Sequence, residues 1–273
     1  MKDAGVKLIY SDPSVKVHSK IALIKKEVNG RKLCYAVLST GNFNETTALF
    51  YTDHVLMTTK KEVCEELETL FYYLQNKKSI IGKKSIVFHK LMVAQFNLID
   101  RFEMLINKEI AKHKSGLSAK IRIKVNNLEE PYFINLLYKA SAAGVTVELI
   151  VRSICCLIPE LEKISDHIIV KRLVDKYLEH TRLFIFGADE DAVVAIGSAD
   201  LMTRNLITRI EVYIDIKDQN CRQQLIHYFQ LQWQDNTKSP RILNNGKQLR
   251  QQVSGVAHNA QNDIYDFLKK ISC

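Results

Sequence analysis

Three features of the chain predict an α/β fold: one clear β-α-β unit, strand and helix patterns along most of the length, and an internal repeat. The unit comprises a strand over 119–125, a helix over 131–143 and a strand over 145–151. Such a unit implies parallel strands with helices on the sheet faces. The repeat places the same strand-and-turn arrangement in both halves and implies two related lobes facing one site.

Residues 6–10 read as a short strand and 18–28 as a second, with Ile21, Leu23 and Ile24 among its apolar positions. Asn29-Gly30 is a strong hairpin signal, and 32–39 returns as the partner strand. Over 60–74, Val63, Leu67, Leu70, Phe71 and Leu74 recur at helical spacing. Residues 75–84 are polar and basic, contain Gly82, and read as a linker or mobile loop. A second helix spans 96–114, capped by Asn97, with Leu98, Phe102, Leu105 and Ile106 inward; a break at 112–118 contains Gly116. In the β-α-β unit Pro131 sits in the first helical turn and Gly144 is the stop. Further strands are expected at 167–173, 178–186, 193–196 and 210–216, and helices at 219–234 and 260–271. The boundary falls near 113–119, giving units at 1–112 and 113–273.

Composition sets the class. Apolar residues make up 47% and charged residues 25%, enough to bury a core and exclude general disorder. Ten Gly and four Pro exclude collagen-like and low-complexity chains. No apolar run reaches the roughly 18 residues of a membrane helix, and the first residues form no apolar signal segment, so a cytoplasmic protein is expected. The charge is more informative. Thirty-nine Lys+Arg against 30 Asp+Glu leave +9, which suits a polyanionic partner: nucleic acid, an anionic membrane surface or phosphate-rich small molecules. The alternative is a merely soluble basic protein. Six cysteines form no C-x-x-C pair, and adjacent Cys155 and Cys156 would point to opposite faces of a strand. Reduced thiols are expected, with neither a disulfide framework nor a zinc site.

The repeat carries the chemistry. Val17-His18-Ser19-Lys20-Ile21 is followed, after the hairpin, by Ser39-Thr40-Gly41-Asn42-Phe43-Asn44. Glu179-His180-Thr181-Arg182-Leu183 is followed by Gly197-Ser198-Ala199-Asp200 and then Arg204-Asn205. On a strand, i and i+2 share a face, so His18 projects with Lys20 and His180 with Arg182. The cation neutralises phosphate oxygens, while the imidazole attacks phosphorus or protonates a leaving oxygen. Small-residue turns bring backbone N–H groups and an amide towards phosphate. A single His-x-Lys is weak evidence; two copies with matching turns are much stronger. Glu179 should face away from His180, and His54, His89, His113, His167, His227 and His258 are read as structural.

Paired His-x-Lys strands resemble the phospholipase D superfamily, although the Asp usual five residues after the cation is replaced by Lys25 and Gly187. A closer resemblance covers nearly the whole chain: the C-terminal catalytic region of the phospholipase D-like type of polyphosphate kinase. It rests on Lys16-Val17-His18-Ser19-Lys20, on Thr40-Gly41-Asn42-Phe43-Asn44 through Tyr51-Thr52-Asp53, and on Asn126-Asn127-Leu128. Val151-Arg152-Ser153-Ile154-Cys155-Cys156-Leu157, Tyr177-Leu178-Glu179-His180, Ser198-Ala199-Asp200-Leu201-Met202-Thr203-Arg204-Asn205 and Arg209-Ile210-Glu211-Val212 complete it.

This resemblance implies two phospholipase D-like lobes with mixed or parallel sheets flanked by helices. The first would be truncated at its N-terminal side, making the chain a C-terminal fragment. It implies reversible transfer of the terminal phosphate of ATP to inorganic polyphosphate, with His18 as phosphoryl carrier and His180 as phosphate contact and general acid. Tyr51, Arg152 and His180 match ATP-contacting positions. Lys20 and Arg182 are expected phosphate ligands by geometry; Asn42, Asn44, Asn126, Arg204 and Arg209 are weaker candidates. Arg209 has pairing with Glu211 as its alternative, and the asparagines have turn stabilisation. Mg2+ is implied, with its arginine site expected upstream and no metal site within the chain. The partners are ATP or ADP and polyphosphate, rather than nucleic acid; homo-oligomerisation and a peripheral place at the membrane are left open. The alternatives are a phospholipase D-like phosphodiester hydrolase or transferase, and a non-catalytic polyanion-binding module.

Overall fold

The computed structural model describes residues 2–10, 15–75, 86–188, 191–250, 253 and 255–271. The expected linker at 75–84 lies, except for Gln75, outside the described residues, as does Cys273. The chain begins with β1 (Lys16–Val17), β2 (Lys20–Val28), β3 (Arg31–Ser39), β4 (Tyr51–Thr52), β5 (Val55–Thr58) and α1 (Lys61–Gln75). Next come β6 (Leu91–Val93), α2 (Leu98–Lys114), β7 (Lys120–Val125), α3 (Pro131–Ala142), β8 (Thr146–Val151), β9 (Ile168–Lys171) and β10 (Leu178–Glu179). The last stretch holds β11 (Arg182–Phe186), β12 (Val193–Gly197), β13 (Arg209–Ile210), β14 (Val212–Asp215), α4 (Gln219–Gln234), β15 (Arg241–Ile242), β16 (Gln248–Leu249) and α5 (Ala260–Ile271).

Local signals explain most of these elements. Asn29 and Gly30 take φ of 50° and 73°, the two positive values of a type I′ turn, and Val28 pairs with Arg31. Glu130 caps α3 by accepting from Phe133 N, with Pro131 behind it where no N–H is needed. Asn97 does not cap α2 through its side chain; it instead ties Val93 N, Phe88 O and Leu91 O together. Residues 6–10 are exposed and form no strand.

β2, β3 and β5 make a three-stranded antiparallel sheet. A mixed sheet of nine strands runs β16-β15-β9-β8-β7-β11-β12-β14-β6, with β7, β8 and β9 parallel. Over Leu183–Phe186, β11 is apolar on both faces. On β11, Phe184 and Phe186 enter one core with Phe102 and Phe133, whereas Leu183 and Ile185 enter the other with Leu67, Leu70 and Phe229. β6 pairs with β14, and α2 packs in the first of these cores. Residues 91–112, expected with the first unit, are therefore bonded and packed with the second.

Two short parallel pairings join the units. β1 pairs with β13, and β4 pairs with β10. They interrupt expected strands: 178–186 breaks at His180-Thr181, 210–216 breaks at Glu211, and β2 begins only at Lys20. Among the described residues, no helix is long and apolar enough to cross a membrane.

Candidate active site

The two joints present two histidines in the same way. His18 N and Ser19 N both donate to Ile210 O, at 2.9 and 3.0 Å. His180 N and Thr181 N both donate to Thr52 O, at 3.3 and 3.0 Å. The residue after each accepting carbonyl is acidic, and its carboxylate takes the imidazole. His18 Nδ1 lies 2.9 Å from both oxygens of Glu211. His180 Nδ1 lies 2.9 and 3.1 Å from those of Asp53. Each histidine is thus oriented by a carboxylate from the opposite half.

An ionised carboxylate only accepts, so Nδ1 carries the proton in both rings and Nε2 keeps its lone pair. Each Nε2 faces the repeat's cation: Lys20 Nζ is 2.9 Å from His18 Nε2, and Arg182 Nη1 is 3.0 Å from His180 Nε2. Lys20 and Arg182 open their strands rather than following a histidine within one, yet each cation still meets its imidazole.

The carboxylates are themselves fixed. Glu211, with a fully buried side chain, accepts from Ser198 Oγ at 2.5 Å and Asn205 Nδ2 at 2.6 Å. Asp53 accepts from Thr40 Oγ1 at 2.6 Å. Burial pushes the Asp53 carboxyl up, but hydrogen bonds from His180 and Thr40 outweigh it and hold the group below the ordinary aspartate range. Burial, reinforced by Arg182 and Arg152, lowers His180 against the pull of Asp53, which favours a neutral ring. Burial lowers Lys20 to about 8, Glu211 and Asp53 opposing and Arg182 and Arg209 assisting. Lys20 therefore lies within electrostatic reach of the carboxylates of both histidines and of the cation of the other copy.

Tyr51 and Arg152 join the His180 side. The Tyr51 ring centre is 5.0 Å from that of His180. Arg152 donates to Glu179 O at 3.0 Å and lies within electrostatic reach of Arg182 and Tyr51. Asp200 pairs with Arg182 through Nε–Oδ1 at 3.2 Å and Nη2–Oδ2 at 3.3 Å. With its amide oxygen towards Arg182, Asn126 accepts at 3.0 and 2.7 Å and donates to Glu179 O at 2.9 Å. Asn126 thus belongs to the site as a brace on Arg182. Arg209 lies close enough to Lys20 to lower it. Glu211 is committed to His18, Ser198 and Asn205.

Asn42, Asn44 and Arg204 are exposed and, among the described residues, bond neither imidazole. Asn44 Oδ1 accepts from Thr47 N, the turn-stabilising alternative. Glu179 is turned away from the His180 ring, as expected. It pairs with buried Lys124 at 3.2 Å and accepts from Tyr228, Gln232 and Gln261. An apolar cavity of about 420 Å³ lies between this network and helices α4 and α5, and its lining includes neither His18 nor His180.

Sequence reasoning missed Asp53, Glu211, Thr40 and Ser198. The signal was present: each histidine copy is followed by a short strand and then an acid, Tyr51-Thr52-Asp53 in one and Arg209-Ile210-Glu211 in the other. Among the described residues, no group of three or more His, Cys, Asp or Glu is placed to hold a metal ion. Asp53, Asp200 and Glu211 are each occupied by an imidazole or guanidinium, so the residues present do not form a magnesium cage.

The family model for polyphosphate kinase C-terminal domain 2 matches residues 91–261, and that for C-terminal domain 1 matches residues 1–80. The chain is 36% identical to a polyphosphate kinase of Vibrio cholerae over 99% of its own length and 38% of the relative's. It is 38% identical to that of Escherichia coli over 99% of its length and 39% of the relative's. The crystal structure of polyphosphate kinase from Porphyromonas gingivalis superposes with a TM-score of 0.91 at 38% identity, covering 99% of this chain and 41% of the other. The chain thus spans between a third and about two fifths of the length of the relatives it matches.

Proposed function

The chain belongs to the polyphosphate kinase family, and from that premise we propose that it carries out reversible transfer of the terminal phosphate of ATP to inorganic polyphosphate through a phosphohistidine at His18. The observation that carries this reading is the Nδ1 anchoring of both imidazoles. It leaves His18 Nε2 as the nucleophilic atom, with Lys20 beside it. The Nε2 lone pair attacks the terminal phosphorus, the bond to the bridging oxygen breaks, and ADP leaves with that electron pair. A terminal oxygen of polyphosphate then attacks the phosphorus, and the P–N bond breaks back onto Nε2. Glu211 keeps its hydrogen bond to Nδ1 throughout and stabilises the positive charge that forms on the ring.

Lys20, Arg182 and Arg209 supply fixed positive charge to the transferring group, whose chemistry depends mainly on positioning and electrostatics. His180 is held neutral in the free site. An arriving phosphate adds negative charge, raises its proton affinity and makes it the acid for the leaving oxygen. Tyr51 presents a ring for the nucleotide, and Arg152 a planar fork for its phosphates. Magnesium, implied by the family, finds no protein cage among the described residues.

The phosphodiester alternative finds no support at the two positions where that chemistry usually carries Asp. Lys25 pairs with Glu68 on the exposed hairpin, and Gly187 takes φ 120° with its carbonyl accepting from Arg122. The test is a transfer assay: labelled ATP with polyphosphate should give label in polyphosphate, and His18→Ala should abolish it. Transfer persisting in His18→Ala would refute the reading.

A further inference from the structure

The sheet register lays a row of cations along one edge of the molecule. Ligands of parallel α/β sheets gather outside the carboxyl ends of the strands. β7 ends there at Val125, followed by Asn126; β8 ends at Val151, followed by Arg152; β9 ends at Lys171, followed by Arg172. β15 and β16 extend the edge. Arg172 N donates to Pro240 O, and Arg241 pairs with Leu249, so Pro240 and Arg250 lie at the same level. On the other side, β11 enters this edge at Arg182, next to Val125. The order along the edge is Arg182, Asn126, Arg152, Arg172, Lys238-Ser239 and Arg250. At about 4.8 Å per strand, the five steps from β11 to β16 cover roughly 24 Å.

The outer half of this row is a cleft of about 540 Å³ lined by Arg172, Asn236, Thr237, Lys238, Ser239 and Arg250, among others. Arg172 bonds a single carbonyl through its side chain, Nη2 donating to Ser153 O at 2.8 Å, and its buried Nε has no partner among the described residues. Among the described residues Arg172, Lys238 and Arg250 make no ion pair, whereas nearby Arg241 is paired with Glu160. Ser239 is 4% exposed, and its hydroxyl also lacks a partner among the described residues. The one carboxylate inside this turn, Asp235, is fully buried and spends Oδ1 on the N–H groups of Thr237, Lys238 and Ser239. Unpaired cations in a line, with orphaned donors between them, suit a linear chain of phosphates.

We propose that this edge is a docking track for the polyphosphate chain, leading from Arg250 and Lys238 past Arg172 to Arg152 and the paired histidines. The inference rests on the function proposed above and adds where the distal part of that substrate lies. A long chain reaches the outer cations while its end is at the histidines; a short one does not.

The test compares long-chain polyphosphate with tripolyphosphate, binding each to the wild-type chain and to Lys238→Glu/Arg250→Glu over a range of salt. Long-chain affinity should fall roughly tenfold, with the log–log salt slope reduced by about 1.4 for two lost contacts, while tripolyphosphate affinity holds. Lys238→Gln/Arg250→Gln should move the long chain the same way by a smaller factor. Unchanged long-chain affinity would overturn the track, as would an equal loss for tripolyphosphate. An equal loss for a single-stranded oligonucleotide would overturn the assignment to polyphosphate, since the edge would then be a general polyanion face. A wild-type chain that bound neither phosphate length would instead remove the proposed function itself.

Discussion

His18 Nδ1 meets both oxygens of Glu211 at 2.9 Å across 193 positions of sequence. The carboxylate accepts three hydrogen bonds, from His18, Ser198 and Asn205, so every partner it has is a donor. Glu211→Gln would turn an NH2 group towards one of them. Facing His18, it would force Nδ1 to accept and move the ring proton to Nε2, removing the nucleophilic lone pair. Phosphoenzyme formation should fall by roughly a hundred- to ten-thousand-fold. Melting measured alongside separates this from unfolding; a folded Glu211→Gln chain with an undiminished rate would show that the carboxylate does not orient the ring.

Gly41 touches the other carboxylate. A Cβ there would lie 1.8 Å from Asp53 Oδ2 and 2.1 Å from Cγ. Gly41→Ala should displace Asp53 from His180 Nδ1. Asp53 raises the His180 pKa against burial, so losing it should lower that pKa further. Titration of His180 by NMR reads this directly, and an unchanged value would mean that the turn accommodates a methyl group without moving Asp53.

Lys20 gives the free site an alkaline limb. The protonated form binds phosphate, and burial lowers its pKa to about 8. Affinity for phosphate ligands should be flat below about pH 8 and fall as pH rises through it. Lys20→Arg, charged throughout, should lose that limb. A limb that survives in Lys20→Arg belongs to another group.

His54 makes a separate prediction about stability. Thr181 Oγ1 donates to Thr52 O, so it accepts from His54 Nδ1–H at 3.0 Å. Burial lowers His54 to about 4, with the Lys124 charge adding to it. The unfolded chain takes up this proton near pH 6.5 and the folded one only near 4, so stability is full above 6.5 and declines as pH falls towards 4. The contribution is up to about 3 kcal/mol. Urea midpoints between pH 7 and 4.5 should fall less steeply in His54→Gln than in wild type; parallel declines would assign the acid sensitivity elsewhere.

Much of this was legible in sequence, for local reasons. Asn29-Gly30 fixes a type I′ turn by itself, Pro131 and Gly144 bracket α3, and the His-x-cation repeat pairs each imidazole with its cation. What was hidden is non-local. β1, β4, β10 and β13 are two residues long, too short to show any periodicity, and each exists only through a partner in the other half. They break the long strands at His180 and Glu211, and they deliver Asp53 and Glu211 to histidines on the opposite unit. Asn97 has the residue type and position of a helix cap, but three backbone partners around Phe88–Val93 compete for its amide and win. β6 joins the nine-stranded sheet and α2 packs on it because their apolar residues fill its two cores, a choice that hydrophobic pattern alone leaves open.

In the proposed reaction the phosphoryl group passes through Nε2 of His18. The most direct measurement is to react the chain with labelled ATP, trap the acid-labile phosphoenzyme at alkaline pH, and locate the phosphorus by peptide mass spectrometry and 31P NMR. The expected result is phosphate on the His18 peptide as the Nε2 isomer, absent from His18→Ala. Phosphate on Nδ1 of that ring, on His180, or retained in His18→Ala would contradict it.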